Sequence, residues 1–203
     1  ANEVVPCFIF DPRQVEEHPY RSMNGLQFLV ESLKDLEEQL QASGGRLYVF
    51  QGQADVQVKN LLKLVACDAV LMNADYTPFS KQRDESIAAV CRKESVELRV
   101  FDDICWVPPQ DALKDNGKPY TIFTPFYKKM SKKLVPKPRR CVDPVWYIKK
   151  IDGEWLGWQN VLAGYKNGAI AVHGGRAIAL KLLSSACKHQ GEYIKTVSYT
   201  HLR

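Results

Sequence analysis

The chain has 203 residues, of which 45% are hydrophobic and 25% are charged, and its formal net charge is +5. These values are those of an ordinary globular protein of one or two domains with a core of its own. No apolar run approaches the roughly 18 residues of a membrane-spanning helix, and no signal peptide is visible near Ala1, so the composition excludes a membrane span.

Strands and helices are predicted to alternate along the first half of the chain, because short apolar runs alternate with segments whose apolar residues recur at helical spacing. The strands are expected over 4–10, 47–50, 69–72 and 96–101, and the helices over 24–43, 56–65 and 78–94. This order predicts an α/β fold with a doubly wound parallel sheet, helices on both faces and right-handed crossovers.

Parallel strands bring their carboxyl ends to one rim of a sheet, which is where open α/β sheets bind ligands. The residues expected at that rim are Asp11, Gly52, Asn73, Asp75, Tyr76 and Asp102.

The segment from 105 to 145 is rich in proline, lysine and aromatic residues. Within it, GKPYTIFTPFYKK (117–129) fits no single helix or strand period, so we expect a loop that Pro119 and Pro125 keep stiff and whose aromatic rings attach it to the preceding domain. A further helix is expected to begin at Arg176, after His173-Gly174-Gly175. Residues 171–196 have too little apolar surface to fold alone and are expected to open a second, helical domain.

Positive charge is concentrated between Asn116 and Val142, which contain eight basic residues and no acid. That one segment carries the whole positive excess, which is typical either of a contact with polyanions such as DNA or of a solvated linker. Lys128, Lys129, Lys132 and Lys133 are the candidate DNA contacts.

Six cysteines are present without a C-x-x-C pair or a Cys/His metal spacing, so reduced structural thiols and no metal site are predicted. Cys7 and Cys67 lie in apolar surroundings and are expected in the core. Reduced thiols favour a cytoplasmic protein.

Several motifs in order resemble the photolyase/cryptochrome family over nearly all of residues 4–196. They are FDPRQ (10–14), NGLQFLVESLKDLEEQL (24–40), GGRLYVFQG (44–52), NADYTPFSKQRD (73–84), FDD (101–103), GKPYTIFTPFYKK (117–129) and GGR-x-x-AL (174–180). Each motif alone is weakly specific, whereas their shared order is a strong signal.

The resemblance implies a Rossmann-like α/β antenna domain over 1–130, an interdomain linker over 131–170 and the start of an all-α FAD-binding domain over 171–196. The family's first strand is absent before Ala1, and its central place in the sheet implies that this chain folds poorly alone. Residues 197–203 read VSYTHLR, which matches the translation of a transposase sequencing adapter, so we expect native sequence to end near Thr196.

For function, the resemblance implies a monomeric, light-driven enzyme that splits UV-induced pyrimidine dimers in DNA with reduced FAD. No catalytic residue is expected in this chain, and Tyr193 is the one candidate FAD contact. The α/β domain would hold an antenna pigment, a deazaflavin or a folate, and folate is less favoured because the family's folate binders often carry Glu at the Ser80 position. The candidate pigment contacts are Phe10, Asp11, Asp75, Tyr76, Ser80 and Arg83, although Asp11 and Asp75 also suit turn or helix capping.

Two other functions remain open at this point. A cryptochrome, a blue-light receptor that acts through partner binding, has the same antenna domain and differs in the flavin pocket. A stand-alone nucleotide-binding α/β module needs a Gly-rich phosphate loop, which is not visible here. The tryptophans Trp146, Trp155 and Trp158 are expected to pack between domains.

Overall fold

A computed structural model describes residues 3–16, 18–135, 137 and 143–200, with the backbone alone for 190–200. The strands are β1 (Glu3–Val4), β2 (Cys7–Phe10), β3 (Tyr48–Gln51), β4 (Ala69–Asn73), β5 (Glu97–Phe101) and β6 (Val145–Trp146). The helices are α1 (Pro12–Val15), α2 (Met23–Ala42), α3 (Ala54–Leu64), α4 (Pro78–Lys93), α5 (Phe123–Met130) and α6 (Arg176–Thr200), with 3₁₀ turns at Pro109–Ala112 and Trp158–Leu162. No described helix is long and apolar enough to cross a membrane.

The chain forms two compact units. Unit one combines residues 1–53 with 144–203, and unit two comprises 54–143. The predicted limits at 130 and 170 do not coincide with these units, because most of the expected linker belongs to unit one. Those domain limits stay a prediction.

The strands are parallel, as predicted, but the described strands pair only two by two. β2 pairs with β3 in the register Cys7–Tyr48, and β4 pairs with β5 in the register Ala69–Glu97. β1 pairs with β6, which was not expected. The predicted single sheet is therefore present as separate parallel pairs, and the α/β class is confirmed.

Helix α2 is the main helix of unit one. Its N-cap is Ser22, whose hydroxyl accepts a hydrogen bond from the Gly25 N–H at 3.1 Å. Leu26, Val30 and Leu33 recur every three or four residues and bury one face against the core. Fully burying such side chains contributes about 1.5–3 kcal/mol each.

The segment after residue 144 completes unit one by packing on β3. The Trp155 N–H donates to the Val49 carbonyl at 2.7 Å. The Tyr48 hydroxyl donates to the Lys149 carbonyl at 2.7 Å and lies 3.0 Å from the Tyr147 carbonyl, and burial raises the pKa of Tyr48. This end of the expected linker is therefore held by β3.

Unit two is built on the packing of α3 against α4. Val58 and Leu61 of α3 and Ile87 and Cys91 of α4 are buried. Helix α4 begins as its sequence predicts, with the Thr77 side chain as N-cap and Pro78 in the first turn.

Residues 123–130 form a helix, so the loop predicted for this part of GKPYTIFTPFYKK is wrong. Pro125 misled the prediction because proline usually breaks helices. Here it lies in the first turn, where backbone N–H groups have no partner inside the helix. The aromatic rings lie close together, with Phe123 and Tyr127 stacked at 5.7 Å and Tyr120 edge-on to Phe126 at 5.9 Å.

The expected core cysteines are also corrected. Cys7 is exposed and Cys67 is half-buried, whereas Cys91 is 1% exposed. Local apolar composition does not reveal how far tertiary packing covers a thiol, so it could not distinguish these three cysteines. Of the seven residues in VSYTHLR, 197–200 continue α6 and 201–203 lie outside the described residues.

Candidate functional site

The turn that follows β4 is built around the carboxylate of Asp75. One carboxylate oxygen accepts the N–H groups of Tyr76 and Thr77, at 2.6 and 3.3 Å, and the other accepts the Ser80 hydroxyl at 2.7 Å. The Ser80 hydrogen bond, then those of the backbone, lower the pKa of Asp75. Asp75 thus joins the end of β4 to the first turn of α4, which is the capping role considered from the sequence.

The turn presents the side chain of Tyr76 at the end of the β4–β5 sheet. The Tyr76 hydroxyl donates to one oxygen of Asp102 at 2.7 Å, and the Gln110 amide donates to the other at 3.1 Å. The hydrogen bond to Asp102 raises the pKa of Tyr76 to about 12. The ring is therefore held at both ends, by the turn and by the residue that follows β5.

Ser80 and Arg83 lie on α4 behind this turn. Ser80 is 2% exposed, so its hydroxyl serves Asp75 and does not face a ligand. Arg83 is half-buried and pairs with Asp84 at 2.7 Å. The four unit-two candidates therefore form one cluster, in which Tyr76 supplies the one aromatic ring.

Phe10 lies elsewhere, in the core of unit one, and is 1% exposed. Its ring contacts Trp155 edge-on at 5.4 Å and stacks on Trp158 at 6.2 Å. These contacts cover the faces of the Phe10 ring that were expected to stack on a pigment. The two tryptophans thus pack inside unit one, and Trp146 does the same against Gly45.

Asp11, which follows Phe10, begins the short helix α1. Its carboxylate accepts the Arg13 N–H at 3.0 Å and forms an ion pair with the Arg13 side chain at 2.5 Å. At 2% exposed, it acts as a cap of the turn after β2. The structure therefore brings Asp75, Tyr76, Ser80 and Arg83 together in unit two, and places Phe10 and Asp11 in unit one.

Sequence reasoning placed Asp102 at the rim but gave it no role, and it did not consider Gln110. The signal for Asp102 was its position directly after a strand that neighbours β4. The Gln110 contact depends on a 3₁₀ turn within an irregular segment, which no periodic pattern predicts.

The four lysines proposed for DNA differ in their surroundings. The Lys129 ammonium donates to the Leu113 carbonyl at 2.9 Å and to Asp115 at 2.8 Å, so it holds the preceding loop. Lys128, Lys132 and Lys133 are exposed. The side chain of Tyr193 lies outside the described residues, although its backbone belongs to α6.

The start of α6 is attached to α2 by carboxylates. Glu31 accepts the Gly174 N–H at 2.8 Å and contacts the His173 ring at 3.1 Å, and Asp35 accepts the Arg176 N–H at 2.9 Å. Burial raises the pKa of Glu31, but hydrogen bonds from Gln27, Gly174 and His173 together lower it below its ordinary value.

Residues 1–143 match the family model described as DNA photolyase. The chain belongs to the photolyase/cryptochrome family. The chain is 28% identical over 132 residues to the deoxyribodipyrimidine photo-lyase of Alkalihalophilus pseudofirmus, and the match covers 64% of this chain and 27% of that protein. It is 31% identical over 138 residues to cryptochrome-1 of Aedes aegypti, with 68% of this chain and 25% of that protein covered.

Solved structures agree with this membership. The archaeal photolyase of Sulfolobus tokodaii, whose crystal structure holds two FAD molecules, is 33% identical, with a TM-score of 0.76 over 90% of this chain and 40% of that one. A class III photolyase from Agrobacterium tumefaciens shares the fold at a TM-score of 0.65 and 23% identity, over 77% of this chain and 32% of that one. The chain spans about a quarter of the length of the two curated relatives named above and less than half of these structures.

Proposed function

We propose that this chain forms part of a deoxyribodipyrimidine photolyase, a light-driven enzyme that splits UV-induced pyrimidine dimers in DNA. The observation that carries the proposal is the likeness to the Sulfolobus tokodaii photolyase over 90% of this chain. FAD, when bound and reduced, would supply the electron that opens the dimer. The chain itself would contribute the antenna domain and, through Tyr193 on α6, one contact with FAD.

The test is light-dependent repair by the product of the complete gene. The purified protein is mixed with DNA that contains cyclobutane pyrimidine dimers, and dimers are counted after blue light and after darkness. We expect loss of dimers only in the light. A protein that retains FAD yet leaves the dimers unchanged under light would contradict the proposal.

A blue-light receptor of the cryptochrome type is the second candidate, supported by the 31% identity to cryptochrome-1 of Aedes aegypti. It would act through a light-dependent change in partner binding instead of dimer splitting. FAD absorbance together with a lack of repair would favour this candidate over the first.

We propose further that the unit-two cluster holds an antenna pigment, with Tyr76 as its stacking surface. Asp75 and Ser80 build the turn that carries Tyr76, and Asp102 fixes the ring, so the residues present suit a planar pigment through one aromatic face. Arg83 lies behind the turn. Phe10 and Asp11 suit this pigment site less well. In unit one the Phe10 ring already contacts Trp155, and the Asp11 carboxylate already pairs with Arg13.

Adding deazaflavin or folate to the complete gene product tests the pigment. We expect near-blue absorbance to remain after gel filtration, and Tyr76→Leu to remove it. The matched control is Tyr20→Leu, because Tyr20 is 92% exposed and outside the cluster. Equal absorbance in both variants would remove Tyr76 from the pigment site.

UV-damaged DNA would be the partner, with Lys128, Lys132 and Lys133 adding weak electrostatic contacts beside α5. A cytoplasmic location is part of the same proposal. We propose a monomer.

A further inference from the structure

A groove of about 500 Å³ lies in unit one, between α2 and the segment that follows the 3₁₀ turn Trp158–Leu162. This volume falls within the ~300–1,000 Å³ range of small-molecule sites. Val30, Leu162 and Tyr165 are among its apolar and aromatic lining residues. Val30 is 1% exposed, so Leu162 and the Tyr165 ring supply the accessible apolar surface. The groove is separate from the Tyr76 cluster, which belongs to unit two.

The walls of the groove are fixed by hydrogen bonds. Gln27 is 1% exposed, and its amide exchanges hydrogen bonds with the backbone of Asn167, at 3.2 and 2.9 Å. The Tyr165 hydroxyl donates to the Asn24 side chain at 2.7 Å. Because these bonds hold the far wall on α2, the groove is formed before any ligand arrives, which lowers the entropy cost of binding.

The charge that the groove offers to a ligand is positive. Its carboxylate, Glu31, already accepts hydrogen bonds from Gln27 and Gly174 and contacts His173. Lys34 and Lys166 also line the groove and form no hydrogen bond or ion pair through their side chains with any residue that the structure describes. Two ammonium groups therefore border the apolar surface of Leu162 and Tyr165.

We propose that this groove binds a small organic anion, such as a phosphate ester, with a flat apolar body. The anionic group would lie between Lys34 and Lys166, as charge-assisted hydrogen bonds favour. The apolar body would rest on Leu162 and against the Tyr165 ring. The site needs neither FAD nor DNA, so it can be present or absent independently of the repair activity.

Pyridoxal 5′-phosphate is a suitable probe, because it joins a phosphate and a flat ring to an aldehyde. The aldehyde condenses with a lysine amine to an imine and releases water. Borohydride then adds a hydride to the imine carbon, solvent protonates the nitrogen, and a stable secondary amine remains. Peptide mass spectrometry of the complete gene product identifies which lysines carry the label.

At limiting probe we expect label on Lys34 or Lys166 to exceed that on Lys63 and Lys81 by about tenfold, a ratio typical of one charge-assisted hydrogen bond. Lys63 and Lys81 are exposed lysines of unit two and serve as internal controls. Excess adenosine monophosphate should reduce the groove label and leave the control label unchanged.

Substitution of one lysine at a time completes the test. Lys34→Ala should lower the label at Lys166 about tenfold, and Lys166→Ala should do the same at Lys34, because each variant removes one ammonium group that binds the anion. Lys63→Ala should change neither. Equal label on all four lysines, or groove label that adenosine monophosphate does not reduce, would overturn the proposal.

Discussion

Tyr76 shows how a single hydrogen bond gives a surface residue a defined position. Its backbone belongs to the turn that Asp75 organises, and its hydroxyl donates to Asp102 beyond the next strand. A tyrosinate at this position would face the Asp102 carboxylate without a proton between them. The neutral phenol is therefore the favoured form in the folded protein.

Asp102→Asn is expected to lower the pKa of Tyr76 from about 12 toward the ordinary value near 10. Because the folded-state pKa is raised, its contribution to stability is complete below about pH 10 and is lost as the pH rises through about 12. NMR titration of ¹³C-labelled tyrosine rings measures the shift. Asp103→Asn is the matched control, and a Tyr76 pKa that responds equally to both substitutions would contradict the role of Asp102.

Among the elements, the attachment of α6 to α2 depends on a residue without a side chain. A Cβ added to Gly174 would overlap the Phe28 carbonyl and would lie 2.5 Å from Ser32 Oγ and 2.7 Å from Ser32 N. The backbone of α2 cannot move away without breaking its own hydrogen bonds. Only glycine therefore lets the Gly174 N–H reach Glu31.

Gly174→Ala is expected to lower the free energy of unfolding by about 1–3 kcal/mol, the usual cost of overpacking. Hydrogen exchange should show faster exchange at the first turn of α6 than in the parent protein. Gly168→Ala, where a Cβ meets nothing within 4 Å, is the control and should cost far less. Equal costs at the two positions would contradict the close approach.

The exposed lysines on and just after helix α5 are the candidate DNA contacts. Replacement of Lys128, Lys132 and Lys133 by alanine in the complete gene product should reduce the slope of log K for DNA binding against log salt, by about 0.9 for each phosphate that the protein no longer neutralises. Lys129→Ala should change the slope little, because Asp115 already neutralises Lys129. An unchanged slope in the triple variant would contradict the DNA contacts and would assign these lysines to a solvated linker.

The elements that sequence reasoning placed correctly are those with a strong period or a clear cap. Helices α2 and α4 begin and end within a residue or so of their predicted limits, because leucine spacing, Thr77-Pro78 and Gly44-Gly45 are local signals. Helix α5 was missed because Pro125 and the aromatic residues conceal its period. The burial of Phe10 by Trp155 and Trp158 could not be predicted, since it joins residues far apart in sequence.

For the molecule as a whole, the pairing of strands limits the stability of residues 1–203 when they are expressed alone. Among the described strands, β2 and β4 each have one paired edge and one edge without a strand partner. Two-stranded sheets are marginal alone, and unpaired edges expose backbone groups. We therefore expect residues 1–203, expressed alone, to unfold in a broad transition.

Thermal unfolding followed by circular dichroism tests this expectation against the complete gene product. The complete protein should unfold sharply, with a steeper dependence on denaturant, because more surface becomes exposed on unfolding. A sharp transition with a fully native spectrum for residues 1–203 would refute the prediction.

Unit one is assembled from two pieces of chain separated by unit two, and this division has a consequence for biosynthesis. A ribosome that has finished β3 must add about 90 residues before the segment that covers β3 emerges. At about 5–20 residues per second, synthesis from Phe10 to Trp155 and Trp158 takes roughly 7–30 s, and the nascent Phe10 waits that long for its ring partners. Unit two is continuous and can acquire its own structure first, so β2 and β3 remain uncovered for longer than the helices of unit two do.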